Sequence, residues 1–145
     1  MRTFYLYQIN DFCVNLYKDA PYKLFRILKD VYYTSRYNQT LAISSYDQVT
    51  EKFSKEFLHN YLFHYYRLEL YYHSKNHIHT ISNNYEYSKL LVSCYYLKLR
   101  TSIGYSSFFQ CLNQFSSNIF VCDFDNLDYF WLSKVVKNEK NMVNQ

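Results

Sequence analysis

The chain contains a single glycine, Gly104, and a single proline, Pro21, among its 145 residues. Phosphate-binding loops of the Walker and Rossmann types need several glycines where the backbone approaches the phosphate. Neither loop can be built from this sequence, which argues against ATPases, GTPases and dinucleotide-dependent enzymes. The abundant residues are instead aromatic: they make up 22% of the chain, and such residues serve both cores and protein interfaces.

The first thirty-odd residues show the most regular pattern. Residues 4–9 are a run of aromatic and branched side chains, which is typical of a strand. Asn10 and Asp11 interrupt this run, and either can cap a helix. Pro21 suits the first turn of a second helix, whose apolar residues recur on one face: Leu24, Phe25, Leu28 and Val31. The segment therefore predicts a strand, a short helix and a longer helix.

The middle of the chain is less regular. Ser45 and Gln48 have the spacing of a capping box, which predicts a helix from Tyr46 to Tyr65. We expect residues 34–44 to be irregular, with a short strand at 41–43. Residues 67–81 alternate in a way that suits strands but does not define them.

The C-terminal third gives clearer signals. Residues 96–100 alternate as in a strand, and the spacing of apolar residues over 108–115 predicts a helix. Residues 119–124 predict a strand, 125–128 have turn chemistry, and 129–132 predict its hairpin partner.

These elements predict a single α/β domain with a mixed, largely antiparallel sheet and helices packed mainly on one side. The length allows one domain with a substantial core. We assign residues 1–133 to this domain and residues 134–145 to a polar C-terminal tail.

Charge and targeting signals favour a cytoplasmic protein. The net charge is +4, from 16 basic and 12 acidic residues spread along the chain, so no direct contact with nucleic acid is expected. No stretch reaches the ~18 apolar residues of a membrane span, and the N-terminus does not resemble a signal peptide. The four cysteines lack paired spacing and predict reduced, buried thiols: Cys13, Cys94, Cys111 and Cys122.

Two clusters of polar residues are candidates for chemistry. His77 and His79 alternate on an extended segment and can point the same way toward a metal, but no cysteine or carboxylate lies at ligand spacing. Asp123, Asp125 and Asp128 can hold a cation or act in acid–base catalysis, although turns recruit aspartate for local hydrogen bonding. We therefore predict no metal, no cofactor and no catalytic residue.

Phe12 and Tyr17 allow two interpretations. Tyrosine and phenylalanine are frequent at the energetic centres of protein interfaces. The same two side chains can instead cover the first helix against the sheet. The residues themselves leave this choice open.

Both ends of the chain resemble the family of the sporulation inhibitor of replication, SirA, from endospore-forming Firmicutes. The N-terminal blocks are Tyr5-Leu-Tyr7-Gln-Ile9-Asn-Asp11 and Asn15-Leu-Tyr17, followed by Leu24-Phe25. The C-terminal blocks are Phe120-Val-Cys-Asp123-Phe124-Asp and Tyr129-Phe-Trp131-Leu132. Gln48-Val49 resembles a helix start in the family, and the blocks keep the family's order and separation.

This resemblance implies a protein that is not an enzyme. It implies binding to the N-terminal domain (domain I) of the replication initiator DnaA, which blocks new rounds of replication during sporulation. Matched by position, the family's contact residues imply a protein interface at Phe12, Tyr17 and Gln48, with Phe53 as an addition. Gln48 then has two competing roles, as a capping residue and as a contact residue.

Two other function classes remain open at this point. One is a small cytoplasmic enzyme with a His and Asp site assembled in space. The other is a nucleic-acid-binding module that uses tyrosine and arginine stacking, which requires a contiguous basic face.

Overall fold

The computed structural model describes residues 1–136. Twelve named elements follow one another along this part of the chain: β1 (Arg2–Gln8), α1 (Asp11–Tyr17), α2 (Pro21–Thr34), α3 (Gln39–Val49), α4 (Lys55–Tyr66), β2 (Tyr72–Lys75), β3 (Ile78–Ser82), β4 (Tyr87–Val92), β5 (Leu97–Thr101), α5 (Ser107–Phe115), β6 (Ile119–Asp123) and β7 (Asp128–Trp131). Residues 132–136 are also helical. Of the predicted tail, residues 137–145 lie outside the described residues.

The seven strands form one antiparallel sheet in the order β2-β3-β4-β5-β1-β6-β7. β1 lies between β5 and β6, so the first strand of the chain joins the two halves of the sheet. Leu6 is opposite Leu97 on β5 and Val121 on β6. The α/β class and the antiparallel sheet predicted from the sequence are confirmed.

The helices occupy both faces of the sheet, whereas the sequence predicted them mainly on one. Phe4 and Leu6 of β1 belong to a core with α4 and α5. Tyr7 and Ile9 point the other way, into a core with α1, α2 and α3. The reason is that both faces of β1 are apolar, and successive side chains of a strand point to opposite faces. Each face therefore needs its own cover.

The single helix predicted from Tyr46 to Tyr65 is wrong, because two helices separated by an extended segment occupy this region. α3 begins earlier, after Asn38, whose side-chain oxygen accepts a hydrogen bond from the Leu41 amide at 3.1 Å. The predicted capping box at Ser45 and Gln48 is therefore inside α3, and the predicted strand at 41–43 is helical. The break before α4 follows from tertiary hydrogen bonds, including Phe53 N to Cys94 O at 2.7 Å.

The remaining elements largely match the sequence pattern. The helix after Pro21, the strand predicted at residues 96–100 (β5), the helix predicted over 108–115 (α5) and the C-terminal hairpin are all present. β4 was not predicted, and residues 67–71 are turns rather than strand. Cys13, Cys111 and Cys122 are buried free thiols, as predicted, and Cys94 is a free thiol that is half-buried.

A buried carboxylate fixes the start of α5. Glu86, which is almost fully buried, accepts hydrogen bonds from the hydroxyls of Ser88 at 2.5 Å and Ser106 at 2.7 Å. It also accepts from the Ser107 amide and hydroxyl, at 3.2 and 2.5 Å. A carboxylate near the amides of a helix N-terminus is stabilised by the helix dipole. Glu86 therefore ties β4 to α5.

No helix within residues 1–136 is long and apolar enough to cross a membrane.

Arg2 closes the C-terminal hairpin against β1. Its Nε donates to Asp123 at 2.7 Å and its Nη2 donates to Asp128 at 2.6 Å. The Asp123 side chain is only 1% exposed. Burial raises the pKa of Asp123, but hydrogen bonds from Asn126 and Arg2 outweigh this effect and hold the pKa below its usual value. Asp123 therefore stabilises the turn through Asn126, and both Asp123 and Asp128 pair with Arg2.

We expect Arg2→Met to lower the free energy of unfolding at pH 7 by about 1–3 kcal/mol, because it leaves a buried carboxylate without its cation. Urea unfolding measures this loss, and Arg67→Met, on an exposed residue after α4, is the control. The difference between wild type and variant should shrink as the pH falls below about 4, because a depressed carboxyl pKa stabilises the fold only above that range. An unchanged midpoint at pH 7 would contradict the assignment.

Candidate protein-interaction site

The side chain of Asn10 joins the first helix to the end of α3. Its Oδ1 accepts a hydrogen bond from the Cys13 amide at 2.8 Å and thereby caps α1. Its Nδ2 donates to the backbone carbonyl of Gln48 at 2.9 Å, and its backbone N–H donates to the carbonyl of Val49 at 3.0 Å. The N-terminus of α1 is therefore joined to the C-terminus of α3, although Asn10 and Gln48 are 38 positions apart in the sequence.

Further backbone contacts surround this junction. Ile9 forms an antiparallel bridge with Thr50, and Glu51 N donates to Gln8 O at 2.8 Å. On the other side, the Ile9 amide donates to Asn118 O at 2.9 Å. An isolated helix of seven residues is marginal in water, so these contacts provide the stability that α1 lacks on its own.

α1 presents a ridge of two apolar side chains to solvent. Phe12 is 75% exposed and Leu16 is 55% exposed. Residues four apart lie on one helix face, whereas Cys13, next to Phe12 along the helix, is buried in the core with α2 and α3. We call Phe12 and Leu16 the α1 ridge. A large exposed aromatic on a firmly anchored helix is suited to contact with another protein.

Tyr17 ends α1 and has a mixed environment. Its ring is half-buried and packs against the same core as Cys13. Its backbone carbonyl accepts a hydrogen bond from Ala20 N at 3.0 Å in the turn before α2. The structure therefore places Tyr17 at the edge of the ridge, where part of its ring supports the fold and part remains accessible.

Gln48 lies in the last turn of α3, and its side chain is exposed. It does not cap a helix start, because α3 begins at Gln39. Only its backbone carbonyl takes part in the junction, where it accepts from Asn10. Its amide side chain remains accessible beside the N-terminus of α1, which removes the competition between its two predicted roles.

Phe53 does not share this surface. It is only 3% exposed and belongs to the core on the opposite face of the sheet, with Leu58 and Leu62 of α4. A ring enclosed in this way cannot contact a partner directly, so we correct its predicted role to packing. The extended segment after α3 turns the chain from one face of the sheet to the other, and Phe53 anchors that crossing.

Carboxylates border the ridge and the junction. Asp11 and Glu51 are exposed on either side of the junction, and Asp47 is exposed next to Gln48. Asp11 accepts a hydrogen bond from Asn118 Nδ2 at 3.2 Å, and Glu51 lies 3.4 Å from Gln8 Nε2. Lysines lie on the same surface: exposed Lys18 follows α1, and its carbonyl accepts from Lys134 Nζ at 3.0 Å, while exposed Lys52 follows Glu51. The border of the apolar ridge therefore carries both signs of charge.

Sequence reasoning missed Leu16 and the linking role of Asn10. The spacing of Leu16 from Phe12 was visible, but which face of α1 is buried was not. Asn10 was recognised only as a possible cap. Nothing local in the sequence indicates that its amide nitrogen reaches residue 48.

A chain of hydrogen-bonded rings connects α4 with the β2–β3 hairpin. The Tyr72 hydroxyl is 2.5 Å from His79 Nδ1, His79 Nε2 is 2.7 Å from His59 Nδ1, and His59 Nε2 is 2.9 Å from His77 Nδ1. All three contacts are hydrogen bonds if the Tyr72 hydroxyl donates to His79, His79 donates to His59 and His59 donates to His77. His77 is exposed at one end, whereas His79 is only 1% exposed.

The geometry of this histidine chain is that of hydrogen bonding rather than metal binding. Within residues 1–136, no group of three or more histidines, cysteines and carboxylates is arranged to hold a metal ion. No carboxylate hydrogen bonds to the chain of rings in the described part of the protein. His77 and His79, predicted to point the same way, both contact His59.

The same chain makes stability depend on pH. Burial, together with His59 and His77, lowers the pKa of His79 to about 4. Burial also lowers the pKa of His59, with further contributions from His77 and Lys55. A histidine pKa below the unfolded value of about 6.5 means that the unfolded chain takes up protons first as the pH falls.

We therefore expect the melting temperature to decrease as the pH falls from about 6.5 toward about 4, with a free-energy slope of at most about 1.4 kcal/mol per pH unit for one such group. His79→Gln should be less stable at pH 7 but show a shallower slope, because the amide does not titrate. His73→Gln, on an exposed residue of β2, should keep the wild-type slope. Thermal unfolding followed by circular dichroism at several pH values measures both quantities, and a wild-type slope in His79→Gln would contradict this role.

A family model described as sporulation inhibitor of replication protein SirA matches residues 2–136. The match includes every strand and every named helix of the domain. No curated protein matches the chain.

Proposed function

The chain belongs to the SirA family of sporulation inhibitors of replication, and we propose that it inhibits the initiation of chromosome replication by binding domain I of the initiator DnaA. The family is one of regulatory inhibitors rather than a known family of enzymes. The single observation that carries the proposed mode of binding is the exposure of Phe12 on an anchored helix. The inhibitor occupies a surface of the initiator that other proteins need at the origin.

The α1 ridge has the properties of an interface centre. Energetically dominant interface residues are enriched in aromatics and lie in the middle of the contact, surrounded by groups that exclude water. Phe12 provides a large apolar side chain, and Leu16 extends it by one helical turn. Removing both from water favours association by the hydrophobic effect.

Anchoring the ridge raises its affinity for a partner. A helix that orders only on binding loses conformational entropy at that moment, which reduces the net binding free energy. Here Asn10 caps α1 and holds it against α3 before any partner arrives. The position of Phe12 is therefore defined in the free protein.

Tyr17 and Gln48 extend the proposed interface in different ways. Tyr17 contributes the accessible part of its ring at the C-terminal end of α1. Gln48 contributes an amide that can both donate and accept hydrogen bonds. Together with the ridge they form one continuous proposed contact surface: Phe12, Leu16, Tyr17 and Gln48.

Charged side chains of both signs surround the ridge. Charges at the rim of an interface mainly affect the association rate and the choice of partner. Asp11, Asp47 and Glu51 are acidic, whereas Lys18 follows α1 and Lys52 follows Glu51. We therefore propose that the complementary surface of the initiator combines an apolar depression with charges of both signs at its edge.

We expect Phe12→Ala to weaken binding to DnaA domain I by about 2 kcal/mol or more, with almost no change in melting temperature because the side chain is exposed. Isothermal titration calorimetry with the purified domain measures the affinity. Phe63→Ala is the matched control, since Phe63 is 54% exposed on α4, on the opposite face of the sheet. Wild-type affinity in Phe12→Ala, or equal losses in both variants, would contradict the proposed interface.

A further inference from the structure

One part of the sheet lacks a helical cover on the α1–α3 face. The core on that face contains residues of β1, β6 and β7 but none of β2, β3 or β4. On β4, every second residue is exposed while its neighbours are buried. The exposed residues Lys89 and Leu91 are opposite Arg100 and Lys98 of β5, so one face of β4 and β5 is open and basic.

The cations on this face are not neutralised by carboxylates. Within residues 1–136, the only ion pairs are those of Arg2 with Asp123 and Asp128. Two of the basic groups lie over rings: Lys98 Nζ is 5.9 Å from the centre of the Tyr5 ring, and Lys89 Nζ is 5.7 Å from that of Tyr87. These positive charges are therefore available to an anion.

The end of α2 adds a wall with another cation. Arg36 follows α2, and its guanidinium lies 5.0 Å from the centre of the Tyr32 ring and 5.5 Å from that of Tyr33. Its Nη2 also donates to the Tyr32 hydroxyl at 2.8 Å. Arg36 and Tyr32 overhang the sheet beside Lys98 and Arg100, with which they line one pocket.

Two open pockets join along this face. The first has a volume of about 280 Å³ and includes Tyr5, Tyr32 and Arg36 in its wall. The second has a volume of about 160 Å³ and is lined by Lys89 and apolar side chains of β3 and β4. Lys98 and Arg100 line both pockets, so the two adjoin at β5 and together make one basic depression.

We call this depression the β4–β5 trough, and its defining residues are Tyr5, Tyr32, Arg36, Lys89, Lys98 and Arg100. Asp125 is the only carboxylate among the residues that line it within the described part of the chain. Four cations against one carboxylate leave the trough strongly positive.

We propose that the β4–β5 trough binds a single-stranded nucleic acid. The four cations contact successive phosphates, and Tyr87, which is 40% exposed on the same face of β4 as Lys89, provides a ring on which a base stacks. Proteins that bind single strands without reading sequence combine a basic groove with aromatic side chains in this way. The proposal adds a second binding surface to the one on α1.

The chemistry of the trough favours a nucleic acid over an acidic peptide. Extended peptides usually bind by adding a strand at a sheet edge, where backbone groups are unpaired. β4 and β5 lie inside the sheet, and each pairs with a strand on both sides. A peptide crossing this face would find few backbone partners, whereas a phosphodiester chain needs cations and ring faces.

The clustering of these cations could not be predicted from the sequence. Its basic residues are spread along the chain, which predicted no contact with nucleic acid. The fold brings Arg36 from the end of α2 beside Lys89 of β4 and Lys98 and Arg100 of β5. Clustering in space, rather than net charge, is the property that matters for phosphate binding.

Fluorescence anisotropy with labelled oligothymidine and oligouridine strands of about 12 nucleotides tests the proposal on the full chain at low salt. We expect both strands to bind, with an affinity that falls steeply as salt is added. Lys98→Gln/Arg100→Gln should weaken binding about tenfold and make the slope of log K against log salt shallower by about 1.4, because two phosphate contacts are lost.

The control variant is Lys55→Gln/Arg67→Gln, which removes the same charge from exposed positions in and next to α4, on the opposite face. It should bind like wild type. Arg36→Gln is a second trough variant, in case the double variant unfolds, and should weaken binding while DnaA domain I binding stays unchanged. No binding of either strand, equal losses in trough and control variants, or tighter binding of a labelled oligoglutamate peptide would overturn the proposal.

Discussion

The structure depends on the burial of β1 on both of its faces. Phe4 and Leu6 enter one core while Tyr7 and Ile9 enter the other, and the strand also joins β5 to β6. α1 follows after only two residues, so the direction of β1 determines where the helix starts. Asn10 then fixes the helix by capping it and by holding the Gln48 carbonyl. The exposure of Phe12 follows from these constraints.

The sequence predicted those elements whose signals are local. The opening strand, the helix after Pro21 and the C-terminal hairpin all carry alternation, helical spacing or turn residues within their own length. The division of residues 46–65 into two helices was not predictable in this way, because it depends on the contact between Phe53 N and Cys94 O. The start of α3 was missed because the true cap, Asn38, lies seven residues before Ser45, and Ser45 has the spacing of a capping box with Gln48.

The candidate site shows a similar division. Sequence similarity selected Phe12, Tyr17 and Gln48, but α1 has only seven residues, too few for its spacing alone to determine which side is buried. The buried neighbour Cys13 decides that Phe12 is exposed. Only part of the histidine chain was visible in the sequence, because His59 joins the β2–β3 hairpin from α4. The β4–β5 trough also forms from separate segments, and no window of the sequence contains it.

The most direct test of the central claim is an NMR comparison of backbone amide hydrogen exchange in the chain alone and in complex with DnaA domain I. If α1 and the adjoining end of α3 form the interface, exchange should slow mainly at residues 11–17 and 47–51, while the strands of the β4–β5 trough should remain unchanged. Slowed exchange limited to α4 or to β3–β5, with no effect at α1, would contradict the proposed mode of binding.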